Sequence, residues 1–175
     1  LDRLARRIPR RSVRVVSVYR PDSRLPAALE HLSSDLHDVE FSLGATADEA
    51  DAALSTQTAA TGLAGQGKFA NLNRLLEGAE ADWTLAVDDD VALPTHFTDR
   101  FLGLVEHLAL DLAQPAQTWR SHAAWRVTRR RPALMIGTST DRIGTPSGQA
   151  FYFTFSKSLR RETKLPIAPY VGAAY

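Results

Sequence analysis

The stretch that decides the fold is WTLAVDDD, residues 83–90, in which an apolar run leads directly into three aspartates. The apolar part, residues 83–87, predicts a buried β-strand. Three adjacent carboxylates repel one another, so folding alone does not favour them at the end of such a strand. Because ligands of open α/β sheets bind at the carboxyl ends of the strands, Asp88, Asp89 and Asp90 predict a ligand site.

A divalent cation is the ligand that these side chains suit. Side chains alternate along an extended segment, so we expect Asp88 and Asp90 to point one way and Asp89 the other. Two carboxylates on one side can share Mg²⁺ or Mn²⁺ with phosphate oxygens. The alternative is an acidic turn before a helix, where aspartates favour the helix dipole without any ligand.

Around this stretch, strand-like and helical segments alternate, which predicts an α/β fold with a mostly parallel central sheet flanked by helices. Two strands separated only by a turn near the end of the chain predict a mixed edge. Strands are predicted at residues 13–19, 39–43, 83–87, 134–138 and 150–155. Helices are predicted at residues 25–36, 48–54, 68–78, 94–108 and 158–164, and a flexible loop at 55–67.

The composition predicts one globular domain without cysteine chemistry. The chain has 175 residues, no cysteine and a hydrophobic fraction of 44%. Basic and acidic side chains number 21 and 20, so the overall charge gives no reason to expect a nucleic-acid partner. The apolar runs are shorter than a membrane span requires, which makes the cytoplasm the default expectation for localisation.

Residues 1–11 predict a basic N-terminal arm that precedes a single domain at 12–175. Seven arginines and one acidic residue fall within residues 1–20. We expect this arm to be solvated. Peripheral membrane contact through the arm is a second hypothesis, because clusters of arginine also bind anionic lipid.

A longer pattern surrounds the acidic triplet. GKFANLNRLL at 67–76 and DWTLAV at 82–87 lead to DDDVALP at 88–94, and Phe97 follows soon after. In this order and spacing the chain resembles the family-2-like glycosyltransferases of the GT-A fold, in which a Gly-Lys helix start with asparagines precedes a strand ending in Asp-x-Asp. The resemblance is good over residues 13–110 and looser over 132–170.

This resemblance implies a GT-A (nucleotide-diphospho-sugar transferase) fold, with a nucleotide-binding half at 12–110 and a truncated acceptor-side half at 111–175. It implies a metal-dependent glycosyltransferase that moves a sugar from a nucleoside-diphosphate donor to a hydroxyl acceptor with inversion. Asp88 and Asp90 would hold Mn²⁺ or Mg²⁺. The residues that the resemblance assigns to donor binding are Tyr19, Arg20, Lys68, Asn73, Asp88 and Asp89.

The residues themselves leave other roles open. Tyr19 is equally compatible with being the last core residue of its strand. Lys68 follows a glycine-rich loop at a helix start, where a compact positive charge suits a diphosphate, although a solvated lysine fits there as well. Asn71 and Asn73 lie two apart and cannot share one helical face, and the resemblance favours Asn73 for the site.

An inverting transferase also needs a carboxylate base that takes the proton of the acceptor hydroxyl. The candidates in the second half are Asp141 and Glu162, and neither lies in a convincing motif. We therefore expect the base to lie beyond Tyr175. The chain does not begin with Met, which fits a fragment that binds the donor and catalyses poorly.

Three other functions use the same features. A nucleotidyltransferase shares the sheet and the metal, but it normally has a glycine-rich loop after the first strand, where this chain has RPDS at 20–23. A non-catalytic nucleotide-sugar-binding module would keep the sheet without the base. A structural α/β domain would use the triplet only as a turn and would show no response to metal.

Overall fold

The computed structural model describes residues 1–110, 112–116 and 118, with the backbone alone for Leu112 and for Phe153–Ser156. The strand predicted at 134–138, the helix predicted at 158–164 and the base candidates Asp141 and Glu162 lie outside the described residues. Of the strand predicted at 150–155, the last three positions fall within the described part and are extended.

The described strands form one sheet with a parallel part and an antiparallel edge. The strands are β1 (Ser12–Tyr19), β2 (Asp38–Ala45), β3 (Thr58–Ala60), β4 (Trp83–Ala86), β5 (Leu112–Ala113) and β6 (Phe153–Ser156). Their order is β3-β2-β1-β4-β6-β5, with β1 to β4 parallel and β6 antiparallel to both of its neighbours. The predicted α/β fold with a mostly parallel sheet and a mixed edge is confirmed.

Four described helices complete the fold: α1 (Asp2–Ala5), α2 (Leu25–Leu32), α3 (Lys68–Leu75) and α4 (Phe97–His107). Alternation along β1 assigns its side chains to two cores. Val13 and Val15 are buried with residues of α2 and α4, whereas Val16 is buried with residues of α3. The sheet is therefore covered on both faces, as parallel strands require. No helix in the described part of the chain is both long and apolar enough to cross a membrane.

Two helix predictions differ from the structure. The helix predicted at 25–36 ends at Leu32, because Ser33 is extended and its hydroxyl donates to the Leu29 carbonyl at 2.9 Å. The helix predicted at 48–54 is wrong, and that segment forms turns. There the Asp51 carboxylate accepts a hydrogen bond from the Ala53 amide at 2.8 Å, a local bond that competes with helix formation.

Two further boundaries were set by contacts that the pattern did not reveal. The segment predicted as a flexible loop at 55–67 contains β3, which extends the sheet by pairing with β2. The helix predicted from residue 94 begins only at Phe97. His96 has a positive φ of 53°, which lies outside the right-handed helical region, so the residues before Phe97 are not part of the helix.

Residues 1–11 lie against the domain. Ala5 is buried, and an added Cβ at Gly103 of α4 would come within 2.5 Å of the Ala5 nitrogen, so α1 and α4 are in backbone contact there. Arg100 binds Asp2 through two nitrogens at 2.6 and 3.3 Å. The segment predicted as a solvated arm thus has one packed side, while the division of the chain into arm and domain stays a prediction.

A network of charged and polar groups holds the amino end of the sheet, where β1 and β4 begin. The Glu106 carboxylate accepts hydrogen bonds from Arg11 Nε at 2.7 Å, Arg11 Nη2 at 3.0 Å and the Trp83 indole at 2.9 Å. Asp82 accepts from the backbone and the hydroxyl of Ser12 at 3.0 and 3.1 Å. These bonds join α4 to the starts of the two central strands.

His37 is buried beside this network. Its Nδ1 accepts a hydrogen bond from the Arg11 amide at 3.3 Å, whereas its Nε2 is buried without a hydrogen-bond partner among the described residues. Burial lowers the pKa of His37, and the negative charges of Asp99 and Glu106 only partly counteract it. The imidazole is therefore held neutral in the folded chain.

Candidate functional site

The candidate site lies where the strand order reverses, between β1 and β4. The chain proceeds outward from β1 to β2 and β3, and then returns so that β4 pairs with the other side of β1. Val16 pairs with Ala86, the last residue of β4, and the Val87 amide donates to the Val16 carbonyl at 3.0 Å, so the chain after β4 runs beside the last residues of β1. A crevice outside the carboxyl ends of strands at such a reversal is where α/β sheets bind ligands.

The middle residue of the acidic triplet is bound by the end of β1. Asp89 accepts hydrogen bonds from Arg20 Nε and Nη2, both at 2.9 Å, and from the Arg20 backbone amide at 3.0 Å. Burial alone would raise the pKa of Asp89, but the hydrogen bonds and charge of Arg20 outweigh it and hold the pKa below its usual value. Asp89 is therefore an ionised, buried group that joins β4 to β1.

The turn after β1 is also attached to the triplet through its backbone. The Arg24 amide donates to the Asp89 carbonyl at 2.7 Å, and the Ser23 amide donates to the Arg20 carbonyl at 3.2 Å. Asp22 has a positive φ of 66° within this turn. Side chain and backbone of Asp89 together thus fix the course of residues 20–24 beside the crevice.

Lys68 contacts Asp88 from α3, which covers the face of the sheet opposite to α2 and α4. It is the first residue of α3, directly after Gly67 with a φ of 75°, and its Nζ forms an ion pair with Asp88 Oδ1. Burial lowers the pKa of Lys68 to about 8, although the charges of Asp89 and Asp90 act to raise it. The ammonium thus lies in an acidic, partly desolvated place at the amino end of a helix.

Asp90 is the exposed member of the triplet, while Asp89 is buried and Asp88 lies between these extremes. No group of three carboxylate or imidazole side chains converges as a metal centre within the described residues. Two carboxylates are nevertheless what Mg²⁺ commonly takes from a protein, with water and phosphate oxygens completing the shell. Asp88, whose present partner is the Lys68 ammonium, and Asp90 fit that donor set, whereas Asp89 is held by the guanidinium of Arg20.

Tyr19 is buried, and its hydroxyl is part of the fold. The phenol oxygen lies 2.8 Å from Thr58 Oγ1 and accepts a hydrogen bond from the Asp51 amide at 3.2 Å. These contacts hold the segment between β2 and β3 over the end of β1. The structure thus places Tyr19 in the core role that its sequence left open, and donor contact by Tyr19 stays a prediction.

The two asparagines of α3 have separate environments. Asn71 is buried, its Nδ2 donates to the Leu63 carbonyl at 2.9 Å, and its Oδ1 is buried without a hydrogen-bond partner among the described residues. Asn73 is half-buried. Asn71 therefore holds the loop before α3, a function that helical spacing did not reveal, and the proposed donor contact of Asn73 stays a prediction.

Fold and crevice together define an α/β protein with an acidic strand end at the reversal of its sheet. No protein-family model matches the chain, and no curated protein matches it in sequence. Among solved structures it resembles the mannosyltransferase of Pyrobaculum calidifontis determined with GDP-mannose and Mn²⁺, at a TM-score of 0.57 and 14% identity. The likeness covers 93% of this chain and 52% of the mannosyltransferase, so this chain spans about half of that protein. It supports the glycosyltransferase-like fold predicted from the sequence.

Proposed function

We propose that this chain is the donor-binding part of a metal-dependent glycosyltransferase that uses a nucleoside-diphosphate sugar. The observation that carries the proposal is the division of labour within the triplet. Asp89 is bound by Arg20, Asp88 is paired with Lys68, and Asp90 is exposed after the end of β4. A structural turn needs no carboxylate beyond the one that binds Arg20, whereas a metal-diphosphate site uses one or two more.

The chain's own residues account for binding the diphosphate. Asp88 and Asp90 would hold Mn²⁺ or Mg²⁺, which supplies Lewis-acid neutralisation of the charge on the departing nucleoside diphosphate. Lys68 already contacts Asp88 from the start of α3, where its ammonium and the helix amides both favour an anion. Lys68 would orient the diphosphate beside the two carboxylates. Tyr19 and Asn73 remain proposed donor contacts.

The acceptor is proposed to be a hydroxyl group, and inversion at the sugar carbon remains part of the proposal. The base that takes the acceptor proton would be Asp141, Glu162 or a carboxylate outside this chain. Residues 111–175 are proposed to belong to the acceptor side. The structure of the similar mannosyltransferase was determined in complex with GDP-mannose and Mn²⁺. GDP-mannose and Mn²⁺ are therefore the first donor and metal to test.

Calorimetric titration of the chain with GDP, UDP and dTDP, each with and without Mn²⁺, tests the proposal. We expect one nucleotide to bind only with Mn²⁺, and Asp90→Asn to weaken that binding at least about 100-fold, since a metal carboxylate is lost. Asp35→Asn is the matched control, because it removes an exposed carboxylate at the amino end of the sheet. Nucleotide affinity that is the same with and without Mn²⁺, or an equal loss of affinity in both variants, would overturn the proposal.

A non-catalytic nucleotide-sugar-binding module is the second candidate. It uses the same acidic strand end and differs from the enzyme only in that the bound donor is not turned over. Hydrolysis of the bound donor in the presence of Mn²⁺, measured by release of free sugar, would identify an enzyme. Donor binding without any turnover would identify the module. A nucleotidyltransferase is disfavoured because residues 20–24, which follow β1, contain no glycine.

A further inference from the structure

The first ten residues have two different sides. Leu1, Leu4, Ala5 and Ile8 follow the spacing of one helical face, and Arg3, Arg6, Arg7 and Arg10 follow the spacing of the other. The helical hydrogen bonds continue past Ala5, since the Arg6 amide donates to the Asp2 carbonyl at 3.3 Å and the Arg7 amide to the Leu4 carbonyl at 3.0 Å. The helical spacing therefore applies to the folded chain as far as Arg7, and residues 8–10 follow the last helical turn.

The apolar side is fixed to the domain. Ala5 is buried in backbone contact with Gly103, and Ile8 packs against the core that β1 shares with α2 and α4. The carboxylate of Asp2 is bound to Arg100. These contacts determine which side of the segment faces outward.

The outward side carries unbalanced positive charge. Arg3, Arg6 and Arg7 are exposed, and no carboxylate of the described residues forms an ion pair with them. Arg10, the fourth member, is paired with Asp38 at 2.6 Å. The chain as a whole has a net charge of only +1, so this concentration of charge is local.

We propose that this outward side, the arginine face (Arg3, Arg6 and Arg7), docks the chain on the anionic surface of a lipid bilayer. Guanidinium groups bind phosphate oxygens through paired hydrogen bonds, and a fixed row of them gains from the negative potential of anionic lipid.

A nucleic acid is the less favoured polyanion. Recognition of single strands uses aromatic side chains as stacking platforms, and the strongly exposed large hydrophobic residues in the described part are Leu1 and Leu36, neither of them aromatic. The arginine face lies on a short helical segment on the outside of α4. It therefore presents charge without the stacking surface that bases require.

Sedimentation of the chain with vesicles tests the proposal. We expect binding to phosphatidylcholine vesicles containing phosphatidylglycerol, release at high salt, and no binding to pure phosphatidylcholine. Arg6→Gln/Arg7→Gln should weaken binding about 25-fold, at roughly fivefold per arginine. Arg24→Gln/Arg74→Gln is the matched control, because it removes the same charge from exposed arginines elsewhere and should leave binding within about twofold.

Arg3→Gln is a second variant of the arginine face and should weaken binding about fivefold. The proposal is overturned if anionic vesicles do not bind, if both double variants lose affinity equally, or if a single-stranded oligonucleotide binds more tightly through the same arginines. Circular dichroism of each variant shows that the fold is retained. The vesicles contain no nucleotide, so the outcome is independent of the proposed donor site.

Discussion

At the amino end of the sheet, Glu106 receives Arg11 and the Trp83 indole, whereas at the carboxyl end three aspartates share Arg20 and Lys68. Both places are built from carboxylates and cations on neighbouring strands and helices. At the amino end, Glu106 accepts hydrogen bonds from the Arg11 guanidinium and the Trp83 indole, and the second carboxylate, Asp82, is held by the amide and hydroxyl of Ser12. At the carboxyl end, negative charge is in excess and Asp90 is exposed.

In the proposed function, this difference distinguishes a group of side chains that holds the fold from a group that binds a ligand. The Glu106 carboxylate has its hydrogen-bond partners within the fold, so removing it leaves those partners without a hydrogen bond and lowers stability. An excess of carboxylates raises the free energy of the folded chain through mutual repulsion, and binding of a cation would relieve that repulsion. Substitutions at the amino end should therefore affect mainly stability, and substitutions at the carboxyl end should affect mainly nucleotide binding.

The largest effect on stability is expected for Glu106→Ala. It leaves Arg11 and the Trp83 indole without their partner at the junction of α4 and the central strands. We expect a loss of about 2 kcal/mol in the free energy of unfolding, since the pair is only partly buried but three hydrogen bonds to a charged group are lost. Urea denaturation measures this loss. Metal-dependent nucleotide binding, measured where the variant is folded, should not change.

The pH dependence of stability should come partly from His37. Its pKa is lowered by burial, so on acidification the unfolded chain takes up a proton before the folded chain does. Stability should therefore fall as the pH drops from about 6.5 towards the folded pKa, with a slope of at most about 1.4 kcal/mol per pH unit. Urea denaturation between pH ~7 and ~5 measures the slope. His37→Gln should show a shallower slope, and an unchanged slope would contradict this role.

Arg20→Lys tests whether the two-pronged contact with Asp89 fixes the crevice. Lysine keeps the charge but loses the second hydrogen bond, which should cost about 1 kcal/mol of unfolding free energy because Arg20 itself is largely exposed. Nucleotide affinity should fall as well, since residues 20–24 would lose their anchor. A variant with reduced stability but unchanged affinity would show that the pair acts on the fold alone.

The smallest effect on stability is expected for Asp90→Asn, and it has the opposite sign. Removing one of three adjacent negative charges should raise the free energy of unfolding by about 0.5 kcal/mol. Thermal unfolding without metal measures the change against Asp35→Asn. Higher stability together with lost nucleotide binding would indicate that the Asp90 carboxylate serves ligand binding at a cost in stability. A destabilised variant would place Asp90 among the structural residues.

The sequence was sufficient to predict the parallel sheet and its acidic strand end. Periodicity located β1, β2, β4 and α3, because each carries its apolar residues at the spacing that burial requires. The failed prediction at 48–54 and the unrecognised β3 share a cause. Both segments are held by contacts with a distant residue, the Tyr19 hydroxyl with Thr58 and with the Asp51 amide, to which residues 48–54 add the local bond from the Ala53 amide to the Asp51 carboxylate. Helical periodicity reveals neither kind of contact.

Within the candidate site, the sequence located the residues but did not predict how they pair. The predicted alternation of Asp88, Asp89 and Asp90 stays a prediction, and it did not reveal that Arg20 would bind Asp89 or that Lys68 would contact Asp88. Such pairing depends on the reversal of strand order, which brings the ends of β1 and β4 together. Asn71 was missed for the same reason, since its partner Leu63 belongs to a loop.

The pairing of β4 with β6 has a consequence for biosynthesis. β4 lies between β1 and β6, and β6 begins only at Phe153. While the ribosome synthesises the roughly 70 residues that separate the two strands, β4 can pair on one side alone. Its other side then presents open amides and carbonyls to any extended chain nearby. Translation that slows within this interval would therefore favour aggregation through β4.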